Sequence, residues 1–198
     1  NYRIRCGFEL MDDFIKKPEN TSEITESRNK REFEIKDGVV RICEYDDDDD
    51  IDYLFLPLSH TYASIWNFMI SLINGMKIYL CSNTKLMFQE ILEVKPTIFC
   101  AVPLIYERLY AVCLEKNINP EILLGGKIRF SFSGGARLKP EIRRFMKEHK
   151  INFLEAYGMT ETSSLISVEY PNWDDYESVG TILENIECVI DNPDQDGI

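Results

Sequence analysis

Thr160 and Glu161 place a hydroxyl and a carboxylate side by side, just after Tyr157, in the stretch EAYGMTETSS. A threonine hydroxyl can donate to a phosphate oxygen. A single carboxylate can hold a magnesium ion whose other ligands are water and phosphate. Tyr157 precedes Gly158, so its ring can lie flat over a base. The same residues fit a structural role, with Thr160 as a helix N-cap and Glu161 in a first helical turn. The segment SFSGGARL (Ser131 to Leu138) follows an apolar run with two glycines. It can bring backbone N–H groups close to a ligand, or it can turn tightly into a helix starting at Pro140. In LPLSHTY (Leu56 to Tyr62), His60 is one of two histidines in the chain, and it fits either a structural loop or a catalytic position. His149, on the apolar edge of a helix, reads as structural.

The elements that must position these residues alternate. YLFLPL, KIYLCS, TIFCAV, KIRFSFS and INFLEAY read as short buried strands. Between them, Tyr62 to Ile73, TKLMFQEILEVK, PLIYERLYAVCLEK and KPEIRRFMKEH carry apolar residues at helical spacing. Asn74-Gly75 stops the first helix, Thr84 is placed to cap the second, and Pro103 and Pro140 start the last two. This pattern predicts an α/β fold, a layered parallel sheet with helices on both faces. In such sheets ligands bind beyond the carboxyl ends of the strands, where the glycine turn and the Tyr157 segment fall. From Ser164 onward SLISVEY, SVGTI and IECVID read as β structure. The expected organisation is a polar N-terminal segment over 1–50, an α/β core over 51–163 and the start of a β-rich subdomain over 164–198.

The 198 residues are 44% hydrophobic and 12% aromatic, as in a globular chain, with a formal net charge of -12. That charge argues against general nucleic-acid binding, though not against one nucleotide held by local donors and a metal ion. No apolar run reaches the roughly 18 residues needed to span a bilayer, so no integral membrane segment is expected. The six cysteines form no C-x-x-C pair, which points to buried free thiols in a reducing, cytoplasmic setting. Asp46 to Asp50 lack the glycine and glutamate that an EF-hand needs and read as a solvated acidic loop.

FSGGARL followed by LEAYGMTETS resembles the adenylate-forming acyl-CoA synthetases. DYLFLPLSHTY, KPTIFCAVPLIYERLY and SVGTILENIECVIDNPDQDGI are similar to successive blocks of the long-chain fatty acid–CoA ligase branch, in the family's order, from about Asp52 onward. The resemblance implies that Ser133, Gly134, Gly135 and Ala136 line the adenine and acyl-phosphate region with backbone atoms. It implies that Tyr157 stacks on adenine, with Glu155 and Ala156 at its edge and Gly158 and Met159 in the same nucleotide segment. Thr160 then bonds the α-phosphate and Glu161 holds Mg2+, as the two catalytic positions. His60, Thr61 and Tyr62 border the acyl or pantetheine tunnel. The implied substrates are a fatty acid, ATP and coenzyme A. A carboxylate attacks the α-phosphate and releases pyrophosphate, and a thiolate then attacks the acyl-adenylate. The acceptor can also be a carrier-protein thiol, and a non-catalytic nucleotide- or acyl-binding domain is the alternative.

The family's Ser/Thr/Gly-rich phosphate loop is expected before YLFLPLSH, where the polar stretch up to Asp50 has too few glycines to supply it. A Thr-Gly-Asp ribose segment and a small lysine-bearing domain are expected beyond Ile198. The chain is accordingly expected to be a core piece of a synthetase, inactive alone.

Overall fold

The computed structural model describes residues 3–6, 33–36, 39–42, 50–171, 173–184 and 186–189. The chain divides into two compact units, Tyr45–Thr181 and a second formed by Asn1–Glu44 with Ile182–Ile198. In the second unit, β1 (Arg3–Cys6) pairs antiparallel with β11 (Ile186–Val189), and β2 (Phe33–Lys36) pairs antiparallel with β3 (Val39–Ile42). Strands β1, β2 and β3 lie within the span expected to be a polar segment, and β11 lies within the span expected to be β-rich. The alternation in FEIK and VVRI was the available signal for β2 and β3.

The larger unit carries the candidate site. A seven-stranded sheet has the order β10-β9-β8-β7-β6-β4-β5. Its strands are β4 (Ile51–Leu54), β5 (Lys77–Leu80), β6 (Ile98–Ala101), β7 (Phe130–Ser133), β8 (Phe153–Met159), β9 (Ser164–Val168) and β10 (Thr181–Ile182). Strands β4 to β8 are parallel, and β9 runs antiparallel to β8. Strand β9, which begins at the expected boundary after residue 163, is hydrogen-bonded to β8 in the same sheet. The strand order reverses at β4, which has β5 on one side and β6 on the other.

Strands β6 and β7 are buried at every residue, as expected of a parallel sheet covered on both faces. The period-two alternation sends Tyr53, Phe99, Ala101 and Phe153 into one core. There they meet α2 (Met87–Val94), α3 (Pro103–Lys116) and α5 (Pro140–Glu148) through Ile91, Tyr106, Ile142 and Met146. Tyr106 packs edge-to-face on Phe153 at 4.8 Å and on Phe99 at 5.9 Å. Its hydroxyl donates to the Phe132 carbonyl at 2.9 Å and lies 2.9 Å from the Ser131 hydroxyl. Helix α2 starts two residues later than the sequence suggests, with Leu86 and not Thr84 at its N-cap. Asn83 Oδ1 accepts from the Lys85 N–H at 3.0 Å, which closes a turn over the position expected to be capped by Thr84. A short α4 (Pro120–Leu123) is capped by Asn119.

The opposite face is covered by the segment predicted as one α-helix over Tyr62 to Ile73. It forms a π-helix, Tyr62–Met69, continuing into α1 (Ile70–Ile73). The buried positions are Tyr62, Ala63, Trp66, Asn67, Ile70 and Ser71. That is a repeat of four residues, which a widened helix keeps on one face better than a 3.6-residue helix does. Met69, Leu72 and Ile73, apolar in sequence, are exposed. Trp66 meets Phe132 edge-on at 5.2 Å.

A buried acid fastens this helix to the sheet. Asp52 on β4 accepts from Asn67 Nδ2 at 3.0 and 3.1 Å and from the Ser71 hydroxyl at 3.0 Å. Asp50, expected in a solvated loop, is also buried and pairs with Arg129 at 2.6 Å. The other members of the aspartate run lie outside the described residues. Cys100 and Cys113 are buried thiols as expected, Cys81 is half-buried, and Cys188 is exposed. His149 ends α5, with Nδ1 at 2.8 Å from the Phe145 carbonyl, a structural position.

Burial lifts the Asp52 carboxyl from 3.8 to about 6, against the hydrogen bonds from Asn67 and Ser71 that hold it down. The folded protein therefore keeps a proton that the unfolded chain has already lost, and stability falls as pH rises between those two values. The loss amounts to about 3 kcal/mol at most. Asp52→Asn should remove this component. In urea unfolding from pH 4 to pH 7, the variant should gain on the wild type by up to that amount, and parallel pH profiles would contradict the assignment.

Candidate functional site

Segments leaving the carboxyl ends of β4, β7 and β8 surround a cleft of about 330 Å³. This is within the usual range of about 300–1,000 Å³ for a small-molecule site. His60, Thr61, Tyr62 and Trp66 form one wall, Gly134 and Gly135 the second, and the segment from Ala156 to Glu161 the third, with Ser164 and Leu165 beside it.

The first wall is set by a turn in which the His60 N–H donates to the Pro57 carbonyl at 2.9 Å. His60 Nδ1 accepts from the Tyr62 N–H at 3.1 Å, so the neutral ring carries its proton on Nε2. Tyr62 is buried, and its hydroxyl donates to the Phe132 carbonyl at 3.1 Å across the top of β7. At the second wall, the Gly134 N–H is spent on the Ala101 carbonyl at 3.3 Å. Gly135 has φ +83°, a left-handed conformation that the missing side chain makes accessible. Any Cβ on Gly134 would press on the Tyr62 ring at 3.4 Å.

The third wall answers the question of which threonine is structural. Thr160–Thr162 form a single 3-10 turn, not the start of an α-helix. The Met159 N–H donates to the Thr162 hydroxyl at 3.1 Å, and that hydroxyl donates to the Met159 carbonyl at 3.0 Å. Thr162, not Thr160, thus closes the turn. Thr160 and Glu161 are left exposed at its tip, their side chains without a hydrogen-bond or ion-pair partner among the described residues. The turn fits because β8 and β9 touch at Gly158, where an added Cβ would overlap the Ser164 carbonyl oxygen. Ser163 and Ser164 complete the reversal with φ of 56° and 101°. Tyr157 is 42% exposed, an unusual position for an aromatic ring within a strand.

Three expected nucleotide positions are not among the residues that line the cleft. Ser133 is fully buried behind the glycine turn, with no hydrogen-bond partner for its hydroxyl among the described residues. Ala136 is exposed but does not line the cleft. Glu155, expected at the adenine edge, is turned inward. One of its carboxylate oxygens accepts from the Leu138 N–H at 2.8 Å, and the other lies 2.9 Å from Arg143. Arg143 is buried on α5, pairs with Glu169 as well, and donates to the carbonyls of Tyr176 at 2.5 Å and Ser178 at 2.9 Å. Burial pushes the Glu155 carboxyl above its usual range, opposed by the Leu138 N–H and the Arg143 charge. The sequence hid this cluster, since Arg143 is one of several charged residues on KPEIRRFMKEH and Glu169 is a lone acid at the end of the apolar run SLISVEY.

Among the residues lining the cleft there is one carboxylate, Glu161, one histidine, and no lysine or arginine. A polyanion placed there would meet no fixed positive charge on the walls. A divalent cation carried on Glu161 would supply it. Magnesium accepts one or two carboxylates together with phosphate and water, so the donor set fits that ion. Among the described residues no group of three metal-binding side chains exists that would demand a different metal.

The sequence pattern of the family described as AMP-binding enzyme matches residues 31–197. The peroxisomal long chain acyl-CoA synthetase 6 of Arabidopsis thaliana is 28% identical over 60% of this chain and 22% of its own length. Long chain acyl-CoA synthetase 5 of the same organism is 24% identical over 67% and 26%. The chain therefore spans about a quarter of the length of these curated relatives. Among solved structures, o-succinylbenzoate CoA synthetase from Bacillus subtilis in complex with an acyl-adenylate intermediate aligns with a TM-score of 0.56. It is 26% identical and covers 71% of this chain and 28% of the other.

The division of labour in the turn can be checked by stability alone. Thr162→Val removes a capping hydroxyl and should cost about 1–2 kcal/mol. Thr160→Val should stay within about 0.5 kcal/mol of wild type, as for an unpaired surface side chain. Equal losses in urea unfolding would mean that Thr160 carries structure.

Proposed function

The chain belongs to the AMP-binding enzyme family, and from that premise we propose that its cleft holds the adenylate part of ATP and of an acyl-adenylate. The observation that carries this reading is the pairing state of the third wall. Tyr157, Thr160 and Glu161 face the cleft with no structural task, while Thr162 next to them does the capping. An aromatic face, a hydroxyl and a carboxylate left free at one rim match the three parts of a magnesium nucleotide: base, phosphate and cation.

In this reading the Tyr157 ring stacks on adenine, and the Thr160 hydroxyl donates to an α-phosphate oxygen. The Glu161 carboxylate holds Mg2+, which neutralises phosphate charge when bound. The Gly134–Gly135 turn supplies close-approaching backbone. His60, Thr61 and Tyr62 border the acyl and thiol side, with the His60 Nε2–H available as a donor. The reaction is activation of a fatty acid followed by thioester formation. The substrate carboxylate oxygen forms a bond to the α-phosphorus as the bond to pyrophosphate breaks. The thiolate sulfur of coenzyme A then bonds to the acyl carbon, and AMP leaves. The first step brings two anions together in line, so placement and charge neutralisation supply its rate. No protein nucleophile is required. A fatty acid as the acyl group is supported by the long-chain synthetases among the relatives. A cytoplasmic setting is supported by the buried free thiols of Cys100 and Cys113. The whole reaction is proposed for a protein of the relatives' length, about a quarter of which this chain spans.

Calorimetric titration of the chain with AMP tests the site. Tyr157→Ala should weaken binding by about 1–3 kcal/mol, the usual worth of stacking a base on an aromatic ring. Glu161→Gln should leave AMP binding near wild type and abolish the magnesium dependence of ATP binding. AMP affinity that is indifferent to Tyr157→Ala would sink the adenine assignment.

A further inference from the structure

Two of the three cleft walls hang from one buried carboxylate that does not itself face the cleft. Glu155 Oε1 accepts the Leu138 N–H at 2.8 Å, which ties down the far end of the Gly134–Leu138 turn. The Glu155 backbone is two residues from Tyr157 on the same strand. Its N–H donates to Glu169 Oε2 at 2.9 Å, and its carbonyl accepts from the Glu169 N–H at 3.0 Å, which locks β8 to the end of β9. Arg143 lies between Glu155 and Glu169, 2.9 Å from the first and paired with the second, in a site where all three side chains are buried. Replacing such a buried ion cluster by packed apolar side chains is often neutral or stabilising, whereas removing one member leaves the others unpaired. The members of this cluster reach both the glycine turn and the strand that carries Tyr157.

We propose that Glu155, held by Arg143, is a positioning residue that couples the glycine turn to the Tyr157–Glu161 segment and thereby sets the width of the nucleotide cleft. The proposal rests on the adenylate reading of the cleft for its functional consequence and on the hydrogen-bond geometry alone for the coupling. Loss of the carboxylate leaves the buried Leu138 N–H without an acceptor and frees both walls together. An amide oxygen at the same place still accepts from Leu138, so Glu155→Gln preserves the tie and Glu155→Ala breaks it.

Hydrogen exchange read by mass spectrometry tests the coupling without any ligand. In Glu155→Ala, exchange should rise at least tenfold in both 134–138 and 157–161, while the β6 and β7 amides hold. Glu155→Gln should stay within threefold of wild type. Should the alanine variant not fold, the wild type in low urea decides: the two segments should open in one event with the same urea dependence. Loosening of one segment alone, equal loosening by Gln and Ala, or separate opening events would overturn the coupling. In parallel, AMP affinity should fall at least tenfold in Glu155→Ala and less than threefold in Glu155→Gln. An unchanged affinity in a loosened alanine variant would overturn the role in setting the cleft. A wild-type chain that does not bind AMP would instead remove the adenylate reading and leave the exchange result to judge the coupling.

Discussion

Parallel pairing of β4, β6, β7 and β8 brings their carboxyl ends to one rim, and everything in the candidate site depends on that constraint. Residues far apart in the chain, His60, Gly134 and Tyr157, become neighbours because each leaves a strand at the same edge. The strands are buried on both faces, so they cannot slide or rotate without exposing apolar surface. The loops at the rim therefore inherit a rigid base and are free to carry groups with no packing duty. That freedom is visible in the exposed Tyr157 ring and in the side chains of Thr160 and Glu161, which have no partner among the described residues.

Each covered face of the sheet is pinned by a buried acid as well as by packing. Asp52 draws Asn67 and Ser71 onto one face, which seats the π-helix and, through its first turn, the wall formed by His60 and Tyr62. Glu155 draws Arg143 and the Leu138 N–H on the glycine-turn side. Buried acids are costly and are tolerated when their hydrogen bonds are met. Both sit on strands that feed the cleft, so their cost falls where geometry matters most.

Much of the fold was legible because strand and helix periods differ. The helix over Pro103–Lys116 agrees with its sequence pattern, with proline at its start and Tyr106 and Leu109 turned into the core. The π-helix was not legible as such, since apolar residues at Ile65, Phe68 and Leu72 satisfy an ordinary helical pattern while the buried face follows a repeat of four. At the site, residue types and strand-end positions pointed to Tyr157, Thr160 and Glu161. Thr162 is separated from Thr160 by a local contact, its hydroxyl meeting the Met159 backbone three residues back, which either threonine could have been read to make. The partners that turn Glu155 inward, Leu138 and Arg143, lie in other elements, and no local pattern encodes them. The strands within the first 42 residues were missed because charged neighbours masked two short alternations.

The central claim is that a base lies on Tyr157 at the rim of the parallel sheet. It is tested most directly by nuclear Overhauser contacts in the chain saturated with AMP. Cross-peaks between the adenine H2 or H8 protons and the Tyr157 ring are the result this account requires. Bound AMP whose adenine protons contact other aromatic rings, with none to Tyr157, would contradict it.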